Sequence, residues 1–334
     1  MAAPEHQRIL ITGGGGFLGR AVRARLVAAG VPAAHILAPR RAEFDLTRQS
    51  DAERLITGAF TANGTTAGPT TIIHLAAEVG GIGANRKHPG RFIFANMAMG
   101  MNVLEAARAS GLAERGGLFV HAGSICSYPK HTPVPFNERE LWNGYPEETN
   151  APYGIAKKAV GEMLGAYQRE YGLRGVYLLP VNLYGPHDNF DLESSHVVPA
   201  LIRKCVEAKR RGDSELVCWG TGAASREFLY VEDAAEAVTR AALAPSKSAE
   251  DASPINIGSG QEITIRGLVE LVVELTGFEG GVLWDATRPD GQPRRSLDTS
   301  RATELLGWGA TTALREGLGR TIRWYEREAL GTGH

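Results

Sequence analysis

The sequence predicts a doubly wound α/β protein, a parallel sheet covered by helices on both faces, joined to a smaller C-terminal α/β lobe. Three observations carry that prediction. Short apolar runs with little alternation recur through the first half, separated by helical patterns, which is how strands buried on both faces read. A run of four glycines stands between the first such run and the first helical pattern. After about residue 181 the alternation gives way to a loop-like stretch and then to helix-rich sequence.

Taken in order, RILIT (8–12) is the first strand, followed by the glycine turn and a helix reaching Leu26 to Ala29. HILA (35–38) and TIIHLAA (71–77) are the next strands, and a long helical pattern runs from about His88 to Ala109. LFVHA (118–122) precedes a helix over roughly Pro152 to Tyr171, and VYLLPV (176–181) is a further strand. Right-handed crossovers would place these strands in one parallel sheet. Beyond it, NLYGPHDNFDLESSH reads as a loop, with short strands near LVCWG (216–220) and GVLWD (281–285). The expected division is 1–181 plus about 228–258 for the sheet domain, and about 182–227 with 259–334 for the second lobe.

Composition narrows the classes. The chain has 334 residues, 43% apolar and 22% charged, with 36 basic against 37 acidic side chains and a net charge of −1. That balance supplies no global field for nucleic acid or an anionic membrane, so any charged ligand must be recognised locally. No apolar run approaches the roughly 20 residues of a membrane helix, and the N-terminus lacks a signal-like apolar region. Three widely spaced cysteines, Cys126, Cys205 and Cys218, argue against a disulfide framework and for a reduced, cytoplasmic setting. No cluster with metal-ligand spacing stands out.

ITGGGGFLGRAV places Gly13, Gly16 and Gly19 between a strand and a helix. Glycines there permit a tight turn and close backbone approach, and the helix N-terminus presents N–H groups to a diphosphate. The loop therefore predicts a dinucleotide in a Rossmann-type domain. At the end of the second strand stand Arg40 and Arg41, with no carboxylate before Glu43. Two guanidiniums suit a 2′-phosphate, so NADP(H) is favoured and NAD(H) stays open; a solvated basic turn is the plainer reading of the same pair.

Tyr153 and Lys157, in APYGIAKK, lie four apart and share one helix face. An ammonium beside a phenol favours the phenolate, which suits a tyrosine that exchanges a proton with a carbonyl oxygen while hydride moves to its carbon. Ser124, following the strand LFVHA, would hydrogen-bond the same oxygen. Glycine loop, serine strand end and YxxxK in this order are the pattern of extended short-chain dehydrogenases and reductases. Cys126 has the strand parity of Ser124, so if strand geometry persists both point the same way. His196 stands where a helix begins. A thiol and an imidazole both trade protons near neutral pH, so the pair would serve inversion of carbons flanking a ketone. Taken singly, Cys126 reads equally as a small apolar filler and His196 as a cap or surface group.

The segments AAEVGGIGAN (76–85), GSICSYPK (123–130), NLYGPHDNF (182–190), SHVVPAL (195–201), WGTGAASREFLYVED (219–233) and RPDGQPRRSLD (288–298) follow one another in order along most of the chain's length. In them the sequence resembles the GDP-L-fucose synthases, bifunctional GDP-4-keto-6-deoxy-mannose 3,5-epimerase/4-reductases of the extended short-chain family. The resemblance implies reduction by Ser124, Tyr153 and Lys157 and epimerisation by Cys126 and His196. It implies cofactor contacts at Phe17, Leu18, Ala76 and Ala77, and substrate contacts at Asn182, Val197 and Lys204. It places Arg226 and Arg295 on the nucleotide diphosphate and Trp219 at the guanosine, and it implies a homodimer through the long helices. The chain departs from relatives at Glu78, where lysine is common, and at Ile125 and Ser127 beside the cysteine.

Overall fold

The computed structural model describes residues 4–62, 65–66, 68–244, 249–250, 252–287, 291–329 and 331, so 288–290 of the RPDGQPRRSLD segment lie outside the described residues. The first half lays down β1 (Ile9–Thr12), α1 (Phe17–Ala28), β2 (Ile36–Leu37), α2 (Gln49–Gly58) and β3 (Thr71–His74). Then follow α3 (Ile82–Lys87), α4 (Pro89–Ala109), β4 (Leu118–Ala122), α5 (Ala151–Tyr171) and β5 (Arg174–Pro180). The chain leaves through β6 (Asn182–Tyr184), α6 (Val197–Arg211), β7 (Glu215–Trp219) and β8 (Ser225–Tyr230), and returns with α7 (Val231–Leu243) and β9 (Pro254–Ile257). It ends with β10 (Glu262–Thr264), α8 (Ile265–Thr276), β11 (Gly281–Asp285), β12 (Arg294–Arg295), α9 (Ser300–Leu306) and α10 (Leu314–Trp324).

Six parallel strands form the central sheet in the order β9–β5–β4–β3–β1–β2. Every residue of β1, β3 and β4 is buried, which is why these strands read as unbroken apolar runs. Their side chains alternate all the same. Ile9 and Ile11 join one apolar cluster with Val22 and Val238, whereas Leu10 joins the opposite one with Leu55 and Leu104, as a two-residue period requires. Strand order reverses between β1 and β3, so a crevice opens there at the carboxyl ends. The predicted doubly wound, Rossmann-type sheet is present.

A third cluster, including Ile202, Cys205, Leu216, Leu268 and Leu318, forms the core of the C-terminal lobe. Strand β8 is its spine. Its first half pairs with β10 and β12, and its second half pairs in parallel with β6. Leu297, Ala302, Leu306 and Trp308 turn back to pack in the first cluster, so the chain crosses between the two cores more often than its composition suggests. Cys205 and Cys218 are buried in the lobe, and burial pushes the Cys205 thiol up to about 12.

Candidate active site

Along the carboxyl ends of the sheet runs a cleft of about 730 Å³. Its floor begins at the glycine turn. Gly13 has φ +75°, and a Cβ on it would lie 2.7 Å from the Ala76 backbone nitrogen; one on Gly19 would lie 2.3 Å from the Gly13 carbonyl. Only glycine lets β1, β3 and α1 converge so closely. The α1 N-cap, Gly16, offers no side-chain acceptor, which leaves the first-turn N–H groups for an anion in the cradle. Phe17, Leu18, Ala76 and Ala77 line the same wall, as do Arg40 and Arg41. Both arginines are exposed, and Arg41 pairs with Glu78 at 3.0 Å. Glu78 also takes two bonds from Arg91, whose donation holds its carboxyl below the ordinary range. These residues fit a dinucleotide with a phosphate on its adenosine ribose.

Past Ala122 the strand geometry does not persist. Residues Ile125–Ser127 form a 3₁₀ turn, and the Ser124 hydroxyl accepts from the Cys126 N–H at 3.1 Å. The parity argument for Cys126 therefore fails: a serine at a turn start caps the turn rather than continuing the strand. The sulfur still faces the cleft, because Cys126 and Ser124 both line it. Helix α5 sits hard against this turn. A Cβ on Gly154 would be 2.1 Å from the Cys126 carbonyl oxygen, and Ser127 Oγ donates to the Gly154 carbonyl at 3.0 Å. That approach sets Tyr153 beside Ser124, which hydrogen-bonds it, and close enough to Cys126 to feel its charge.

Lys157 is buried, with Nζ donating to the Ala122 carbonyl at 2.8 Å, and burial pulls its pKa down to about 8. Beneath it His74 and His121 stack at 5.7 Å between centroids. Burial, with Lys157 nearby, pulls both well below the usual histidine range, so they are neutral under the ammonium. The expectation of an acidified tyrosine meets a different environment: burial raises the Tyr153 pKa, and its Ser124 bond offsets only part of that. Tyr153 is thus a phenol, a proton carried into the site.

His196 is the N-cap of α6 but makes no side-chain capping bond. It is exposed to the cleft it lines while protein crowds the ring, and that crowding lowers its pKa. Asp188 lines the same opening. One of its oxygens accepts from the Asn189 N–H at 2.7 Å, the other is buried without a partner, and burial pushes the carboxyl up to about 7. Nothing in the sequence singled out Asp188. Gly154 was legible in principle, since a glycine inside a helical pattern signals a close approach.

Asn182 also lines the cleft, its amide donating to the Glu227 carbonyl at 2.9 Å. Val197, Lys204, Trp219, Arg226 and Arg295 stand outside this lining. Two groupings appear among them. Lys204 Nζ lies 5.7 Å from the Trp219 ring centroid, with the ring exposed. Arg226 and Arg295 are register partners on β8 and β12. Arg295 is buried and turns inward, Nη2 lying 3.6 Å from Cys126 Sγ.

Residues 9–258 match the model of the NAD dependent epimerase/dehydratase family. The chain belongs to that family. It is 41% identical over 318 residues, 95% of this chain and 93% of the relative, to GDP-L-fucose synthase 1 of Arabidopsis thaliana. Among solved structures, a GDP-L-fucose synthetase from Naegleria fowleri bound to NADP matches with TM-score 0.82 and 25% identity over 98% of this chain and 96% of the other. A GDP-6-OMe-4-keto-L-xylo-heptose reductase from C. jejuni matches with TM-score 0.85 and 25% identity over 98% of this chain and 99% of the other. The expected kinship is thereby met: this is a member of the extended short-chain class, an NAD(P)-dependent epimerase/reductase fold.

Proposed function

We propose that the protein converts GDP-4-keto-6-deoxy-D-mannose to GDP-L-fucose, inverting C3 and C5 and then reducing C4 with NADPH. The observation that carries this reading is one cleft holding both a Ser124–Tyr153–Lys157 trio and a thiol and an imidazole that the trio does not need. The names of its relatives support the substrate, and the NADP in the Naegleria structure supports the cofactor.

NADPH in the Gly13–Gly19 cradle supplies the hydride. Tyr153, kept protonated by burial, gives its proton to the C4 oxygen, and Ser124 hydrogen-bonds that oxygen as charge develops. Lys157, anchored on Ala122, holds a positive charge next to the phenol as it becomes a phenolate. For inversion, one of Cys126 and His196 takes a proton from a carbon flanking the ketone, leaving an enolate, and the other returns a proton to the opposite face. Arg226 serves the diphosphate, with the Lys204–Trp219 pair at the guanine and Asn182 and Val197 towards the sugar. Arg40 and Arg41 serve the 2′-phosphate.

Assembly and setting follow from the same reading. Phe94 and Met101, seven apart on α4, are large exposed apolar side chains, and we assign them to a homodimer contact through α4 and α5. The domain division expected above is kept as a proposal, with residues 297–308 returning to the sheet core. Three free cysteines and a net charge of −1 support a cytoplasmic enzyme without a nucleic-acid partner; no helix among the described residues is long and apolar enough to cross a membrane.

The test is incubation with GDP-4-keto-6-deoxy-D-mannose in deuterated water, following NADPH absorbance and sugar mass. Deuterium at C3 and C5 with one NADPH oxidised per product is expected. A protein that binds NADPH but gives neither signal overturns the substrate assignment. The likeness to a heptose reductase at TM-score 0.85 favours one second reading, a 4-keto nucleotide heptose as substrate, which the same assay reads with that sugar.

A further inference from the structure

We propose that Arg295 is the positioning residue of the Cys126 thiol, holding it as a proton acceptor rather than serving the nucleotide diphosphate. The geometry is specific. Arg295 is buried, its Nη2 lies 3.6 Å from Cys126 Sγ, and its Nε is buried without a partner. The next residue back, Arg294, points outward and pairs with Glu262 at 2.6 Å. Two adjacent guanidiniums are thus divided by strand alternation, one to solvent and one to sulfur. The backbone leaves Arg295 little freedom to do otherwise, since it is in register with Arg226 on β8, and Ser296 and Leu297, which follow it, are buried.

A guanidinium donating to sulfur stabilises negative charge there, and thiolate is the reactive form. The ionisable groups facing Cys126 are Arg295 from β12 and Tyr153 from α5, with Lys157 a turn further along α5 and His196 across the cleft. Tyr153 is neutral, and Lys157 is committed to the Ala122 carbonyl, so the nearest full charge in hydrogen-bonding reach of the sulfur is Arg295. The step balances without Arg295 changing state. Thiolate takes the proton from the carbon, the C–H electron pair moves into the enolate, His196 gives a proton to the opposite face, and the thiol then loses its proton to solvent. Arg295 donates to the sulfur throughout and exchanges no proton.

This inference rests on the proton-transfer role proposed for Cys126, but its first test does not. Iodoacetamide labelling of Cys126 at neutral pH, read by peptide mass spectrometry on the NADPH-bound protein, reports sulfur charge with no sugar present. Cys205 and Cys218 are buried, so the peptides are cleanly distinguished. Arg295→Met should slow labelling on the order of three- to tenfold, because it removes the donor 3.6 Å from the sulfur that stabilises charge there, an effect moderated by the lower intrinsic nucleophilicity of a stabilised thiolate. Arg295→Lys should recover part of the rate, and neutral Arg295→Gln reads the same quantity if the methionine variant does not fold. With substrate, the variants should lose carbon-bound deuterium exchange more than they raise KM. Wild-type labelling rates with a raised KM would overturn the proposal and return Arg295 to the diphosphate. Slow labelling with normal exchange would keep the Arg295–Cys126 contact but refute the role of Cys126 in proton transfer, and with it the role given to Arg295.

Discussion

The two halves of the cleft are built by different means. The Tyr153–Lys157 wall is regular structure: one helix face on a buried strand, with Lys157 fixed at 2.8 Å from the Ala122 carbonyl. The other wall is irregular: a 3₁₀ turn packed against that same helix, then a loop and a helix N-cap, where His196 has no capping bond and Asp188 keeps an unpartnered oxygen. Under the proposed function the difference is chemical. Hydride transfer needs a donor and acceptor held at fixed separation, which helix and sheet provide. Proton transfers on both faces of a sugar ring need groups whose hydrogen-bonding capacity is still open when the sugar arrives.

The sharpest test of that contrast removes one wall's chemistry and watches the other. Tyr153→Phe should lower NADPH oxidation about a hundred- to ten-thousandfold while deuterium uptake at the sugar carbons persists; a parallel collapse of both would mean the walls act as one unit. Cys126→Ser should do the reverse, cutting exchange by about a hundredfold or more with single-turnover reduction of a pre-epimerised 4-keto sugar largely retained. Gly154→Ala attacks the seam between the walls. Its Cβ meets a backbone oxygen that cannot rotate away, so thermal unfolding should show a loss of roughly 1–3 kcal/mol, with both activities reduced together.

The smallest effect is electrostatic. Burial raises Asp188 from an ordinary 3.8 to about 7, so the folded state holds this proton more tightly than the unfolded one. The resulting stability is fully present below about pH 4 and is lost as pH rises through 7. Asp188→Asn should therefore gain Tm relative to the parent between pH 5 and 8, with a difference that grows with pH and then levels. A difference independent of pH would show that Asp188 is ionised throughout, and that the loop wall is wetter than its burial indicates.

How legible was this in the chain? The sheet was, because β1, β3 and β4 are buried on both faces and so carry unbroken apolar runs. The glycine loop and Tyr153–Lys157 were, because each depends on local spacing. What escaped depends on neighbours distant in sequence. The Cys126 sulfur meets Arg295, 169 residues away, and α5 packs against a carbonyl on another element. Strand parity misled at Ser124 for a local reason: a hydroxyl that can accept from the N–H two residues on offers the backbone a turn in place of an extended continuation. Arg40 and Arg41 look alike in sequence, yet of the two it is Arg41 that pairs with Glu78, well along the chain, at 3.0 Å.

Strand β8 carries a mechanical implication. One end is clamped between β10 and β12 in the C-terminal lobe, the other is zipped to β6, and it runs without a break into α7 on the central sheet. A beam anchored at both ends transmits tilt instead of absorbing it. Under the proposed function, nucleotide docking beside Arg226 would thus be felt at Tyr230 and the α7 start, and adjustment to sugars of different bulk would fall to the 185–196 segment, which carries no strand.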